Sequence, residues 1–238
     1  MIQFIEALDL SRSFGTSTTE VLAVDHVSLS IGAGEFLMLM GPSGSGKTTL
    51  LAMLGCILKP SSGHIRVLGK EVGVLSSRAL ARLRGESIGF VFQGFNLLSA
   101  LTAWENVALV GDFLVRRPRN IRSRSIEILE SIGLGHRIHH LPADLSAGEK
   151  QRVAFARALV NSPKIILADE PTANLDADNR DIVVGLLRQA VEEQNVSVII
   201  ATHDKRIQRV ADRIVRIEDG RLTDDRRHDP NDSGPLIP

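Results

Sequence analysis

The sequence predicts an α/β fold in which a strand-rich core is interrupted by a helical insertion. Apolar or alternating runs bounded by Gly, Pro and Ser dominate residues 1 to about 70, and this pattern is typical of β-strands. Helical spacing of apolar residues follows from about residue 99 to residue 160. Continuous β-branched runs return at residues 164–168 and 196–201, as in strands that are buried on both faces of a sheet.

The individual elements follow from these patterns in chain order. Strands are predicted at residues 2–8, 21–30, 35–40, 64–68, 87–92, 164–168, 196–201 and 213–218. The helical region includes a segment around residues 126–132 that Gly133 and Gly135 end, and another helix is predicted at residues 179–194. A turn at Asp219-Gly220 follows the last strand, and residues 224–238, rich in Asp, Arg, Pro and Asn, are predicted to be disordered.

The length of 238 residues permits one large domain or two small ones. We expect a single domain over residues 1–223, because no internal repeat is found and the pattern is that of one α/β core interrupted by a helical insertion. Its predicted parts are a β-rich first half of the core at residues 1–98, a helical subdomain at residues 99–160 and the second half of the core at residues 161–223.

The composition limits the classes of function and the cellular location that can be expected. The formal net charge is zero, from 28 basic and 28 acidic residues, which disfavours a nucleic-acid groove or a polybasic membrane patch. One cysteine excludes an intrachain disulfide, and Cys56 is interpreted as a small core residue rather than a reactive group. Its apolar run, residues 50–58, falls short of the ~20 residues that span a bilayer. The first residues show no secretion signal, so a cytoplasmic chain is expected.

A phosphate-binding pattern lies between a predicted strand and a predicted helix. The pattern G-x-x-x-x-G-K-[ST] fits every position of residues 41–48, and glycines there let backbone N–H groups turn inward as an anion nest. Lys47 can reach the β- and γ-phosphates, and the Thr48 hydroxyl can ligate Mg²⁺. The predicted nucleotide-binding residues are Gly41, Pro42, Ser43, Gly44, Ser45, Gly46, Lys47, Thr48 and Thr49.

Two carboxylates end the buried strand at residues 164–168. Because ligands gather at the carboxyl ends of parallel strands, Asp169 is expected beside the phosphate loop, where it can hold Mg²⁺. Glu170 lies one residue off the strand end and suits a general base for an attacking water. Solvated turn charges are the alternative interpretation, which the phosphate loop disfavours.

These residues, together with further short motifs, resemble the ATP-binding-cassette (ABC) ATPase family over essentially the whole chain. Residues 145–152, Leu-Ser-Ala-Gly-Glu-Lys-Gln-Arg, resemble the signature L-S-G-G-Q-x-Q-R. The family's glutamine loop is matched by Phe92-Gln93, its aspartate loop by residues 173–176 and its histidine switch by residues 202–204. The resemblance implies a P-loop NTPase core with a mixed β-sheet, an N-terminal antiparallel β subdomain and a helical insertion subdomain that carries the signature.

The resemblance also implies a shared site between two copies that pair head to tail. Ser146 and Gly148 would donate to the γ-phosphate of ATP held by the other copy, and Asp176 would contact the partner. Gln93 would contact Mg²⁺ and the water region, and His203 would bind the γ-phosphate and position Glu170. Phe14 falls where the family has an adenine-stacking aromatic; a core role for Phe14, and likewise for His203, is the alternative.

The signature departs from the family pattern at two positions. Ala147 replaces a glycine, and its methyl group excludes some backbone angles and close approaches. Glu149 replaces a glutamine and adds a negative charge near an anionic ligand or its magnesium. Ser146 and Gly148 are retained, so a working ATPase is predicted.

Residues 88–98, 101–107 and 167–172 resemble the lipoprotein-releasing, macrolide-exporter and heterocyst-glycolipid-exporter ATPases. That group implies an ATPase at the inner face of the cell membrane, coupled to a separate permease and often to a periplasmic adaptor. One alternative is a cell-division-type complex that regulates cell-wall hydrolases. Another is a non-transport cassette acting on nucleic acid or ribosomes, which the neutral charge disfavours.

Overall fold

Two β-sheets and a group of helices make up the fold in the computed structural model, which describes residues 2–16, 19–112, 114 and 120–227. The smaller sheet is antiparallel and has the strand order β2-β1-β4-β5. Its strands are β1 (Gln3–Phe14), β2 (Val21–Gly32), β4 (Ser62–Val67) and β5 (Lys70–Glu71).

Strand β1 continues beyond the predicted end at residue 8. The pairing of β1 with β2 shifts register between Ala7 and Leu10, and Asp9 there adopts a left-handed φ of 55°. Such an irregularity interrupts the alternation of apolar and polar residues that marks a strand in sequence. Leu10 nevertheless points into the core and is fully buried.

The larger sheet has the strand order β10-β9-β3-β8-β7-β6. Its strands are β3 (Phe36–Met40), β6 (Ile88–Val91), β7 (Ile165–Asp169), β8 (Ser197–Thr202), β9 (Arg213–Glu218) and β10 (Arg221–Arg227). All pairs are parallel except β9 with β10. In the register, Met40 lies beside Thr202 and Asp169 beside Ala201, so the carboxyl ends of β3, β7 and β8 meet at one edge.

Six α-helices are described, of which the sequence patterns did not single out α2. They are α1 (Lys47–Leu54), α2 (Ser77–Ser87), α3 (Ala103–Asp112), α4 (Ile121–Ser131), α5 (Ala147–Leu159) and α6 (Ala177–Gln194). Short 3-10 helices lie at Val72–Val74, Gly135–Arg137, Pro142–Asp144 and Lys205–Val210. None of the helices in the described ranges combines the length and the apolarity that crossing a membrane requires.

Strand β3 is buried on both faces, which explains its uninterrupted apolar sequence. Leu37 and Leu39 contact a cluster that contains α1 and the antiparallel sheet, whereas Phe36 and Met38 contact a cluster formed with α5 and α6. A further cluster joins α3, α4 and α5. The predicted α/β fold with an antiparallel N-terminal sheet and a mixed sheet is confirmed, and the predicted subdivision of residues 1–223 stays a prediction.

The predicted disordered tail begins too early. Residues 221–227 form β10, an edge strand whose polar sequence carries no strand pattern. Antiparallel backbone pairing with β9 holds it, and Arg213 of β9 adds hydrogen bonds from Nε and Nη2 to the two carboxylate oxygens of Asp225, at 2.6 Å each. Arg221 also pairs with Asp25 of β2. The rest of the predicted tail, residues 228–238, lies outside the described residues.

Candidate nucleotide-binding site

The phosphate loop connects the carboxyl end of β3 to the first turn of α1. Gly46 precedes the helix with a left-handed φ of 101°, and a Cβ atom there would collide with the carbonyl oxygen of Ala23. A Cβ atom on Gly41 would collide with the carbonyl oxygen of Ile217. Neighbouring backbone therefore requires glycine at both positions, and the loop keeps the narrow turn that an anion nest needs.

Lys47 lies inside this loop. The residue is 6% exposed, and its Nζ donates to the carbonyl oxygens of Gly41 and Pro42 at 2.8 Å each. The positive charge is thus held at the centre of the loop, close to the start of α1, where the helix dipole is also positive. This arrangement suits the phosphate groups of a nucleotide.

Thr48 and Asp169 bring two oxygen atoms together across the site. Thr48 Oγ1 donates to Asp169 Oδ1 at 3.1 Å, which links α1 to the end of β7. Burial raises the pKa of Asp169, and the charge of Glu170 adds to this, whereas the Thr48 hydrogen bond and Lys47 act in the opposite direction. A divalent cation would offset this unfavourable negative charge, and oxygen atoms are the ligands that Mg²⁺ prefers, so the pair fits a magnesium site.

Glu170 follows Asp169 with a left-handed φ of 43°, and its N–H donates to the carbonyl of Ala201 at 2.8 Å. Its carboxylate has a partner on each oxygen. Thr202 Oγ1 donates to Oε2 at 3.0 Å, and His203 Nδ1 lies 2.8 Å from Oε1. Because a carboxylate only accepts hydrogen bonds, Nδ1 is the donor of this pair. The two neighbours hold Glu170 in one orientation.

Lys47, Thr48, Glu170 and His203 line a cavity of about 480 Å³, whereas Asp169 and Thr202 do not line it. It brings together predicted residues from the phosphate loop, the glutamine loop, the end of β7 and the histidine switch. The lining residues are Ala23, Pro42, Ser43, Gly44, Gly46, Lys47, Thr48, Thr49, Gln93, Glu170 and His203. Gln93 therefore faces the same space as Lys47, although β6 precedes it and the two lie far apart in sequence.

The signature and the aspartate loop do not line this cavity. Ser146 precedes α5 and Asp176 precedes α6, and each accepts a backbone hydrogen bond from the first turn of its helix. The bond from Asn179 holds the pKa of Asp176 below its usual range. Gly148 packs against the Asn179 side chain so closely that a Cβ atom would collide with it. The signature helix α5 is thus in contact with the first turn of α6 within one chain.

The structure shows the surroundings of Ala147 and Glu149, the two positions where the signature departs from the family pattern. Ala147 is exposed, whereas Glu149 is 8% exposed. Glu149 Oε2 accepts from the Ser146 N–H at 2.8 Å, and Ser146 Oγ accepts from the Glu149 N–H at 3.2 Å, so the two form a capping box. Although burial by itself would raise the pKa of Glu149, hydrogen bonds from Ser146 and Arg137 lower it overall.

Phe14 does not line the cavity, but it ends β1 near it. Its partner across the hairpin is Val21, on the same strand as the lining residue Ala23. The Phe14 residue is 42% exposed, with the Arg12 guanidinium 4.8 Å from its ring centroid. This exposure argues against the core role.

Two contributors were missed by the sequence interpretation. Ala23 reaches the cavity because β2 folds over the loop, and no local pattern marks it. Thr202 holds Glu170, and its position beside His203 was the available signal, since neighbouring residues at a strand end face the same edge.

This α/β core, with its phosphate loop and converging carboxylates at the ends of parallel strands, defines a P-loop nucleotide-binding domain. The chain belongs to the ABC transporter family: the family's sequence model, described as ABC transporter, matches residues 24–173. The predicted membership is confirmed, and the chain is an ABC-type ATPase domain.

Relatives and solved structures agree with this membership. The chain is 44% identical over 221 residues to the macrolide export ATP-binding/permease protein MacB of Marinobacter nauticus, a match covering 93% of this chain and 34% of that protein. MacB of Salmonella choleraesuis is 43% identical over 224 residues, with the same shares. The chain therefore spans about a third of the length of these curated relatives.

Among solved structures, the dimeric ATP-binding cassette MJ0796 in a post-hydrolysis state with ADP and Pi has a TM-score of 0.88 and 37% identity. That match covers 94% of this chain and 98% of the other. The protein cbiO1 from Clostridium perfringens, part of the ABC transporter complex cbiONQ, has a TM-score of 0.83 and 31% identity, over 95% and 89% of the two chains.

Proposed function

We propose that this ATPase domain binds ATP with Mg²⁺ in the cavity described above and hydrolyses it after a second copy closes the site. The observation that carries the proposal is the convergence of Lys47, Gln93, Glu170 and His203 on one cavity, with the Thr48–Asp169 oxygen pair beside it. These are the functional groups that phosphoryl transfer to water needs: a phosphate cradle, a metal site and a base.

Lys47 and the loop N–H groups bind the β- and γ-phosphates, for which Lys47 exchanges its present carbonyl partners. Thr48, Asp169 and Gln93 would hold Mg²⁺, which when bound neutralises charge on the phosphate oxygens. Phe14, exposed at the end of β1, stacks on the adenine ring. Pro42, Ser43, Gly44, Ser45 and Thr49 complete the loop around the phosphates.

Glu170 is the proposed general base. Thr202 and His203 hold its carboxylate from both oxygens, so it can accept a proton from a water that lies in line with the γ-phosphate. His203 donates through Nδ1 to Glu170, and in its imidazolium form, in which both ring nitrogens donate, Nε2 can donate to the γ-phosphate. The Glu170 side chain is 14% exposed, as suits a base held in place, and the His203 side chain is 69% exposed, so a ligand can reach it.

The second copy supplies Ser146, Gly148 and Asp176. These residues lie outside the cavity of their own chain, at the starts of α5 and α6, where backbone N–H groups suit an anion. A head-to-tail pair would place them against the γ-phosphate of the other copy. The similar cassette MJ0796 is dimeric, which supports this arrangement.

We further propose that closure of this dimer drives export or lipid and lipoprotein release through a membrane permease, with the domain bound peripherally at the inner membrane face. The support is the identity to proteins named for macrolide export, whose names combine ATP binding with a permease. A periplasmic adaptor belongs to the same proposal.

The ATPase proposal is tested by measuring phosphate release from the purified chain at increasing protein concentration. The rate per chain should rise with concentration and vanish when EDTA removes magnesium; a rate per chain that is independent of concentration contradicts the shared site.

Affinity capture from solubilised membranes tests the proposed transport partner and should recover a permease. Reconstituted transport supports export, whereas intact ATPase activity without transport favours the complex that regulates cell-wall hydrolases.

A further inference from the structure

Glu149 stands where the family signature has glutamine, and the structure shows what accompanies its charge. The Glu149 residue is 8% exposed and lies at the start of α5, beside Ser146. An unpaired carboxylate in this position would be costly to bury, and it would lie beside groups expected to bind an anion.

Arg137 is the group that meets this charge. It ends the 3-10 helix Gly135–Arg137, between α4 and α5, and its Nε donates to Glu149 Oε1 at 2.9 Å. Its Nη1 lies 3.2 Å from His140 Nε2, which must accept because a guanidinium only donates. His136 Nε2 lies 4.0 Å from the same carboxylate oxygen. Arg137 is therefore held in place from two sides.

The Arg137–Glu149 ion pair is connected by hydrogen bonds to Ser146 of the signature. With Oε1 bound to Arg137, Glu149 directs Oε2 to the Ser146 N–H. Ser146 Oγ accepts from the Glu149 N–H, and in the described part of the chain its hydroxyl hydrogen is donated to no other group. A serine hydroxyl has one donor and two acceptor sites, so this geometry leaves the donor for a ligand.

We infer that Arg137 is a positioning residue for the signature: it neutralises Glu149 and orients the Glu149–Ser146 capping box so that Ser146 can donate to the γ-phosphate held by a second copy. The inference rests on the proposed composite site. Without Arg137, the negative charge of Glu149 faces the phosphate and opposes closure. With glutamine at position 149, no charge needs an ion partner and Arg137 becomes dispensable.

Four variants test this inference: Arg137→Gln, Glu149→Gln, the double variant and Arg137→Lys. Dimer formation is measured by sedimentation velocity with the β,γ-imido analogue of ATP, and ADP affinity by calorimetry. Arg137→Gln should need about tenfold more analogue for half-maximal dimer formation. Its ADP affinity should stay unchanged, because Arg137 does not line the nucleotide cavity of its own chain. Glu149→Gln should dimerise at least as readily as the wild type.

The double variant decides between positioning and mere structural support. Removal of the Glu149 charge should restore dimer formation in the Arg137→Gln background to within about twofold of the wild type. If Arg137 only fastens its 3-10 helix to α5, Glu149→Gln cannot restore anything, and an unrescued defect overturns the inference. The inference is also overturned if Arg137→Gln dimerises at the same analogue concentration as the wild type.

Folding and the proposed function are controlled separately. If Arg137→Gln loses its cooperative melting transition, the comparison passes to Arg137→Lys, whose smaller defect should again disappear with Glu149→Gln; persistence of that defect overturns the inference. A wild-type chain that stays monomeric with the analogue overturns the composite site itself, together with this inference. A normal wild-type dimer with an unrescued variant overturns the Arg137 role alone.

Discussion

Replacing Glu170 by glutamine separates catalysis from stability at this site. The glutamate accepts from Thr202 Oγ1 at 3.0 Å and from His203 Nδ1 at 2.8 Å. Glutamine keeps the shape and one acceptor oxygen, so it loses about one hydrogen bond, worth roughly 0.5–1.5 kcal/mol. For a domain of this length, that corresponds to a fall in Tm of about 1–6 °C. The loss of a general base lowers kcat by about 10²–10⁴.

The assay is phosphate release at saturating Mg·ATP, together with nucleotide affinity and sedimentation. Glu170→Gln should bind ATP as the wild type does, hydrolyse it slowly and accumulate as an ATP-bound dimer. Glu193→Gln is the matched control, since Glu193 is an exposed glutamate of α6 whose contact in the structure is with Gln189, and its kcat should not change. A kcat for Glu170→Gln within about threefold of the wild type would refute the general-base role.

Four further outcomes follow from the same geometry. Lys47→Ala should abolish measurable ATP binding in calorimetry, because the loop loses its central charge; near-normal affinity would contradict its role. Ala147→Gly should leave the ATPase rate and Hill slope unchanged if the exposed methyl is neutral, whereas a steeper slope would show that it hinders closure. Burial raises the pKa of Cys56 to about 11, so its thiol should resist a disulfide reagent at about pH 8 until denaturant is added; rapid labelling of the native chain would contradict this. The pKa of Glu149 is lowered on folding, so its stabilisation is complete above its ordinary value of 4.5 and is lost as pH falls through the folded pKa; the Tm advantage over Glu149→Gln should therefore shrink from about pH 6 to about pH 3.

The sequence predicted most of the larger sheet because its central strands are buried on both faces. Residues 164–168 and 196–201 are interpreted as β-branched runs of buried strands, and the structure has β7 and β8 there, shifted by one residue. Strands with partly polar surroundings or a bulge were harder to predict from the sequence. Strand β10 pairs with β9 through its backbone and the Arg213–Asp225 ion pair without apolar alternation, and β1 continues through a bulge at Asp9.

The sequence by itself determined the phosphate loop and its chemistry, because the nest, Lys47 and Thr48 belong to one contiguous segment between a strand and a helix. Tertiary structure decided which distant groups join it. Parallel pairing of β3, β7 and β8 brings Thr48 within 3.1 Å of Asp169, and folding of β2 adds Ala23 to the cavity. The charge of Glu149, a bare departure from the family pattern in sequence, acquires its partner Arg137 only when the turn before α5 folds back against that helix. Hydrogen bonds between residues distant in the chain depend on the packing of whole elements, so local sequence patterns do not specify them.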